Sequence, residues 1–172
     1  MPGFCVSKHS GKIGDKVKNK TIPGRGSYTI EHLVLDLNGT ISLDGSIIRG
    51  VTGRLEALSA NLGITVVTAD THKNASALLG DLPVSIRVIK ENQENEQKLG
   101  VVVEKGRDST VSIGNGCNDV SMLRESAIGI CVVGREGASA EAVMASDVVV
   151  PTINDALDLL LKLHRLRATL RR

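Results

Sequence analysis

The sequence predicts an α/β fold, a three-layer α/β/α Rossmann-like arrangement with a parallel sheet between two helical layers. Short Val/Ile/Leu-rich runs at 32–36, 64–68, 84–89, 110–114, 128–132 and 147–150 alternate with helical patterns at 50–61, 73–79, 93–105, 118–125, 137–144 and 153–169. Nearly continuous apolar runs suit strands covered on both faces, and strand–helix alternation is the mark of parallel pairing. One stretch breaks the alternation. Ile41 to Ile48, with Asp44-Gly45 at its centre, reads as a β-hairpin, because an Asp-Gly pair suits the tight turn between antiparallel strands. It follows the first long strand directly and forms a small flap at that strand's carboxyl end.

The chain of 172 residues is long enough for one well-buried domain. Residues 1–20, with five Lys against one Asp and no periodicity, read as a flexible basic tail; 21–172 read as the folded domain. Pro23 to Gly26 reads as a turn leading to a short segment near Tyr28–Ile30. No apolar stretch approaches the roughly 18 residues needed to cross a bilayer, so no membrane role is expected. Residues 1–20 lack the apolar segment of a secretory signal. Cys5, Cys117 and Cys131 lack metal-ligand spacing, so reduced thiols in the cytoplasm are expected. With no Trp, one Tyr and one Phe, the chain has no base-stacking platform, and nucleic-acid binding is not expected.

Chemistry concentrates at strand ends. Asp36 closes the run 32–36 and is followed by Leu37-Asn38-Gly39-Thr40. A carboxylate placed there can act as an oxygen nucleophile toward phosphorus. The run 110–114 ends in Gly114-Asn115-Gly116-Cys117-Asn118-Asp119; its carboxylate, paired with that of Asp36, suits Mg²⁺, which takes oxygen ligands and phosphate. Asp119 also falls in a first helical turn, where the dipole favours an acid regardless of function. Thr68 ends the run 64–68; its hydroxyl and the backbone N–H of Ala69 can hold a phosphate oxygen. Lys98, early in the helical pattern 93–105, can offset phosphoryl charge. Lys90, at a strand end, competes for that role.

Taken in order, these segments resemble the haloacid-dehalogenase-like (HAD) superfamily, most closely its soluble P-type-ATPase-like proteins. Asp36-Leu37-Asn38-Gly39-Thr40 resembles the nucleophile motif, Val66-Val67-Thr68 the strand-end Thr, Lys98 the lysine, and Gly114 to Asp119 the Gly-Asp-Gly-x-Asn-Asp motif. The resemblance implies a Mg²⁺-dependent phosphohydrolase working through an aspartyl phosphate on Asp36. It implies that Asp36, the Asn38 carbonyl and the residue-115 side chain hold Mg²⁺, with Asp119 supporting the metal from close by. Thr68, Ala69 and Lys98 would bind the phosphate.

Two positions depart from the pattern. Hydrolytic members carry Asp where Asn38 stands, and an amide can neither protonate a leaving oxygen nor activate water. Asn115 replaces the usual metal-binding Asp, which lowers the negative charge offered to Mg²⁺. The competing reading is therefore a catalytically degenerate protein that binds a phosphorylated ligand or partner. A dinucleotide site is disfavoured, because Asp119 stands where the third glycine of that fingerprint belongs. The elements assigned between Asp36 and Lys98 leave no room for a cap domain. An open, capless site suits a large phosphorylated substrate, or a cap supplied by a second subunit of a homo-oligomer.

Overall fold

A computed structural model of the chain describes residues 20–22 and 26–171; the tail assigned to 1–20 therefore lies outside the described residues except for Lys20. In chain order the elements are β1 (Lys20–Ile22), β2 (Gly26–Tyr28), β3 (His32–Asp36), β4 (Ser42–Leu43), β5 (Ser46–Ile47), α1 (Val51–Ser59), β6 (Gly63–Thr68), α2 (His72–Leu79), β7 (Ser85–Val88), α3 (Glu94–Lys105), β8 (Thr110–Gly114), α4 (Val120–Glu125), β9 (Ile128–Val132), α5 (Ala140–Ala145), β10 (Val148–Val150), α6 (Ile153–Leu161) and α7 (Leu163–Leu170). Single 3₁₀ turns, Arg107–Ser109 and Cys117–Asp119, flank β8.

The main sheet has six strands in the order β10-β9-β8-β3-β6-β7, all parallel. Side chains alternate across it. Leu33 and Leu35 face one layer, where they join Leu55 and Leu58 of α1, Leu157 and Leu160 of α6 and Leu166 of α7. Val34 and Val67 face the other, with Val101 and Val102 of α3 and Met122 of α4. Both faces of β3 are thus covered, which is why its sequence is apolar without alternation.

The largest departures from the sequence expectation are three. The pattern 137–144 becomes helical only at Ala140, because Gly137 is left-handed (φ 83°) and Ser139 caps the helix by accepting from the Ala142 N–H. The pattern 153–169 is two helices, broken at Lys162 (φ −121°, ψ 65°). The segment expected near Tyr28–Ile30 is a strand at Gly26–Tyr28 that pairs antiparallel with Lys20–Ile22. The hairpin at 41–48 forms as expected, with Asp44 and Gly45 both at positive φ (50° and 73°). It is anchored rather than pendant: Ile41 is fully buried, and Ile47 and Ile48 pack on the core. Among the described residues no cap domain interrupts the chain between Asp36 and Lys98, and no helix is long and apolar enough to cross a membrane.

Candidate active site

β3 lies between β6 and β8, and all three run the same way. Asp36, Thr68 and Gly114 therefore end at one edge of the sheet, the carboxyl edge where open α/β sheets bind ligands. After Asp36 the chain folds tightly back. The Leu37 carbonyl accepts from the N–H groups of Ile41 and Ser42. Gly39 is required in this turn: its φ is +78°, and a Cβ there would stand 2.4 Å from Glu136 Oε2 and 3.1 Å from Asn115 Nδ2. Thr40 Oγ1 then donates to Asn115 Oδ1 at 3.1 Å, tying the first motif to the last.

Lys98 sits in the second turn of α3 and is 1 % exposed. Its Nζ donates to Asp36 Oδ1 at 2.7 Å, to Asp119 Oδ1 at 2.6 Å and to Asn118 Oδ1 at 3.2 Å. Asp119 Oδ2 accepts from the backbone N–H groups of Asn115 and Gly116, both at 2.9 Å. Gly114 makes room for this, since a Cβ on it would lie 2.4 Å from Asp119 Cγ.

One ammonium between two carboxylates leaves a negative charge uncompensated in a poorly hydrated place. Burial, then the Asp119 charge, push Asp36 up to about 6 against the opposing pull of the Lys98 charge and its hydrogen bond. Burial acts to lower Lys98, but the two carboxylates outweigh it and hold the ammonium above its ordinary value. The two shifts agree: the surplus negative charge disfavours ionised Asp36 and favours charged Lys98.

A cavity of about 270 Å³ opens in front of this cluster, lined by Asp36, Asn38, Thr68, Ala69, Lys98 and Asn115. These are the residues that the motifs single out, with one exception. Asp119, expected beside the metal, is fully buried, does not line the cavity, and has both oxygens engaged by Lys98 and the backbone. Lys90 does not line the cavity either; its backbone is held by the Gln97 side chain. Thr68 Oγ1 accepts from the Asp70 N–H at 3.1 Å, which leaves the hydroxyl proton to donate to an incoming oxygen.

Glu94, Asn118 and Glu136 also line the cavity and were not singled out from the sequence. Glu136 follows β9, a parallel strand ending at the same edge as β3, so the loop 133–139 was a legible place to search. It is tied to the site by two hydrogen bonds, Asn115 Nδ2 to the Gly137 carbonyl (3.2 Å) and Ser139 N–H to the Asn115 carbonyl (2.9 Å).

Among the described residues, no three His, Cys, Asp or Glu side chains converge as a metal cluster. The oxygen-bearing side chains around the cavity include the carboxylates of Asp36, Glu94 and Glu136 and the amides of Asn38 and Asn115. Asn115 cannot turn its nitrogen inward without losing the bond to Gly137 and the one accepted from Thr40. A hard oxygen set that includes the Asp36 carboxylate fits Mg²⁺, which is commonly held by one or two carboxylates plus phosphate and water.

No protein-family model matches the chain. The uncharacterized protein MJ0073 of Methanocaldococcus jannaschii is 44% identical over 86 residues, spanning 48% of this chain and 92% of that protein. The probable phospholipid-transporting ATPase IM of Homo sapiens is 25% identical over 133 residues, 77% of this chain but 11% of that protein. Among solved structures, the 3-deoxy-D-manno-octulosonate 8-phosphate phosphatase of Moraxella catarrhalis, in complex with magnesium ion, phosphate ion and KDO, superposes with a TM-score of 0.66 at 16% identity, covering 83% of this chain and 94% of its own. The cobalt-bound phosphatase of the same substrate from Haemophilus influenzae gives 0.64 at 16% identity, covering 77% and 88%. At such identities the structural likeness establishes fold. The chain belongs to the family of Methanocaldococcus jannaschii MJ0073 and has the fold of the HAD superfamily.

Proposed function

We propose that the protein is a Mg²⁺-dependent phosphohydrolase in which Asp36 takes up the phosphoryl group. The observation that carries this reading is the meeting of Asp36 with Lys98 (2.7 Å) at a cavity that Thr68 and Asn115 also line. The fold is shared with phosphatases whose structures contain magnesium and phosphate or cobalt, which supports the same chemistry here.

In this mechanism the Asp36 carboxylate attacks phosphorus and the bond to the leaving oxygen breaks. Water later attacks phosphorus and the carboxylate is released. Lys98 lies against the attacking oxygen, holds it in one rotamer and offsets charge on the transferring group. The Thr68 hydroxyl and the backbone at Ala69 orient a phosphoryl oxygen. Asp119 acts as a positioning residue: it fixes Lys98 through one oxygen and the Asn115–Gly116 backbone through the other. Asp36, the Asn38 carbonyl and the Asn115 amide oxygen would hold Mg²⁺, which supplies positive charge to the phosphoryl oxygens. Asn38 leaves proton transfer unassisted at its position, so turnover is slow relative to capture.

A binding-only role is the second reading, favoured by that amide. Asn38 Oδ1 accepts from Ser42 Oγ at 3.3 Å, which turns it toward the hairpin. Hydrolysis of p-nitrophenyl phosphate with Mg²⁺ by wild type and Asp36→Asn separates the two. The hydrolase reading requires the variant to lose the activity; equal rates favour binding alone.

A further inference from the structure

The cavity at Asp36 is walled mostly by polar side chains. A second cavity, of about 480 Å³, lies beside it. The partition between them is Gly39-Thr40. Both residues line the second cavity, while Thr40 Oγ1 bonds Asn115 on the wall of the first. The loop after β9 straddles the same partition, with Arg135 on the second cavity and Glu136 on the first.

The second cavity differs in character. Leu43, Ile47 and Ile48 of the hairpin segment, Val132 at the end of β9, Pro151 and Ile153 give it an apolar wall. No Asp or Glu is among its lining residues, whereas Arg49 and Arg135 both are. Arg54, Arg87 and Arg107 each have a carboxylate partner elsewhere on the fold; the Arg49 and Arg135 guanidinium groups have none among the described residues. A concave, mostly apolar site of roughly 300–1,000 Å³ with a few convergent polar groups is the usual form of a small-molecule pocket. Unpaired guanidinium groups at its border suit an anion, a carboxylate or a phosphate; with the phosphate placed at Asp36, the anion left for them is a carboxylate.

We infer that this second cavity receives the organic part of the substrate: a compact apolar body bearing a carboxylate, whose phosphate crosses Gly39-Thr40 to reach Asp36. The inference rests on the phosphate-site reading above and adds the class of compound. It also gives the anchored hairpin a role, because Leu43 lines the cavity without belonging to the core cluster that Ile47 and Ile48 pack against.

Calorimetric titration with non-hydrolysable probes tests this without requiring turnover. In Mg²⁺, 4-carboxybenzylphosphonate is expected to bind the full-length protein at least tenfold tighter than benzylphosphonate. The surface double variant Arg49→Gln/Arg135→Gln should bring the two to equal affinity. Leu43→Ser should weaken both while leaving inorganic phosphate unchanged. Equal binding of the two phosphonates to wild type, or a carboxylate preference that survives removal of both arginines, overturns the assignment. Inorganic phosphate titrated in parallel separates the two levels: phosphate that binds without any carboxylate preference rejects the second cavity alone. Failure of phosphate and both phosphonates rejects the reading of the Asp36 site, and this inference with it.

Discussion

Lys98 Nζ lies 2.7 Å from Asp36 Oδ1, deep enough that the lysine is 1 % exposed. Nothing in the sequence neighbourhood of either residue supplies this contact; α3 delivers it across the carboxyl edge of the sheet. The same ammonium is 2.6 Å from Asp119, so one cation holds the strand β3 motif and the loop after β8 together.

Replacing Lys98 by Met should therefore damage stability as well as phosphate binding. Removing one partner of a buried charge pair typically costs about 3–5 kcal/mol, and here two carboxylates are left facing each other. Urea unfolding should show a markedly lower midpoint, with partial recovery in Lys98→Met/Asp119→Asn. A midpoint within error of wild type contradicts the arrangement.

Asp36 also gives the metal-free protein a pH signature. Its folded value of about 6 lies above the ordinary 3.8, so the folded state binds the proton more tightly than the unfolded one. The corresponding stability is fully present below about pH 4 and is lost as pH rises through about 6. Measured in a chelator, wild type should gain stability relative to Asp36→Asn as pH falls from 7 toward 4. A flat difference, or one of opposite sign, refutes the burial of an under-compensated carboxylate.

In the proposed mechanism residue 38 stands beside the leaving oxygen, so Asn38→Asp should supply proton transfer there. General acid–base assistance contributes typically 10²–10⁴-fold, so p-nitrophenyl phosphate turnover is expected to rise by about two orders of magnitude, with a smaller change in KM. An unchanged kcat would mean that the amide is not what slows the reaction.

Asn115→Asp should behave oppositely with and without metal. The new carboxylate adds a charged ligand, so Mg²⁺ should bind about tenfold tighter, roughly 1.4 kcal/mol. Without metal, the variant loses the donor to the Gly137 carbonyl and sets another negative charge near Asp36, so it should unfold about 1 kcal/mol more easily. Thermal melts with and without Mg²⁺ give both numbers; a variant that is equally stable in the two conditions contradicts the placement of residue 115.

The parts of this structure that were legible in the sequence are those set by local pattern. The run His32 to Asp36 had to be a buried strand, Asp44-Gly45 had to be a turn, and the strand-end positions of Asp36, Thr68 and Asn115 followed from the alternation of elements. The break at Lys162 was not legible, because the apolar positions of α6 and α7 continue one helical stripe and only the backbone at that residue departs. The way Asp119 is held was not legible for a different reason. Motif order brings it near the site, but the clearance left by Gly114 and the two backbone N–H groups that capture its Oδ2 are three-dimensional facts. Glu136 and the arginine-bordered cavity depend on how the loops after β3, β9 and β10 converge, and no local periodicity reports that.

The most direct measurement is a crystal structure after soaking in Mg²⁺ and beryllofluoride, a mimic of a phosphoryl group bound to a carboxylate. Beryllium should be bonded to an Asp36 oxygen, with fluorides reaching the Thr68 hydroxyl and Lys98 and a cation against Asn115. An Asp36 still paired only with Lys98, under concentrations that saturate the site in a known phosphatase, would contradict phosphoryl capture by this residue.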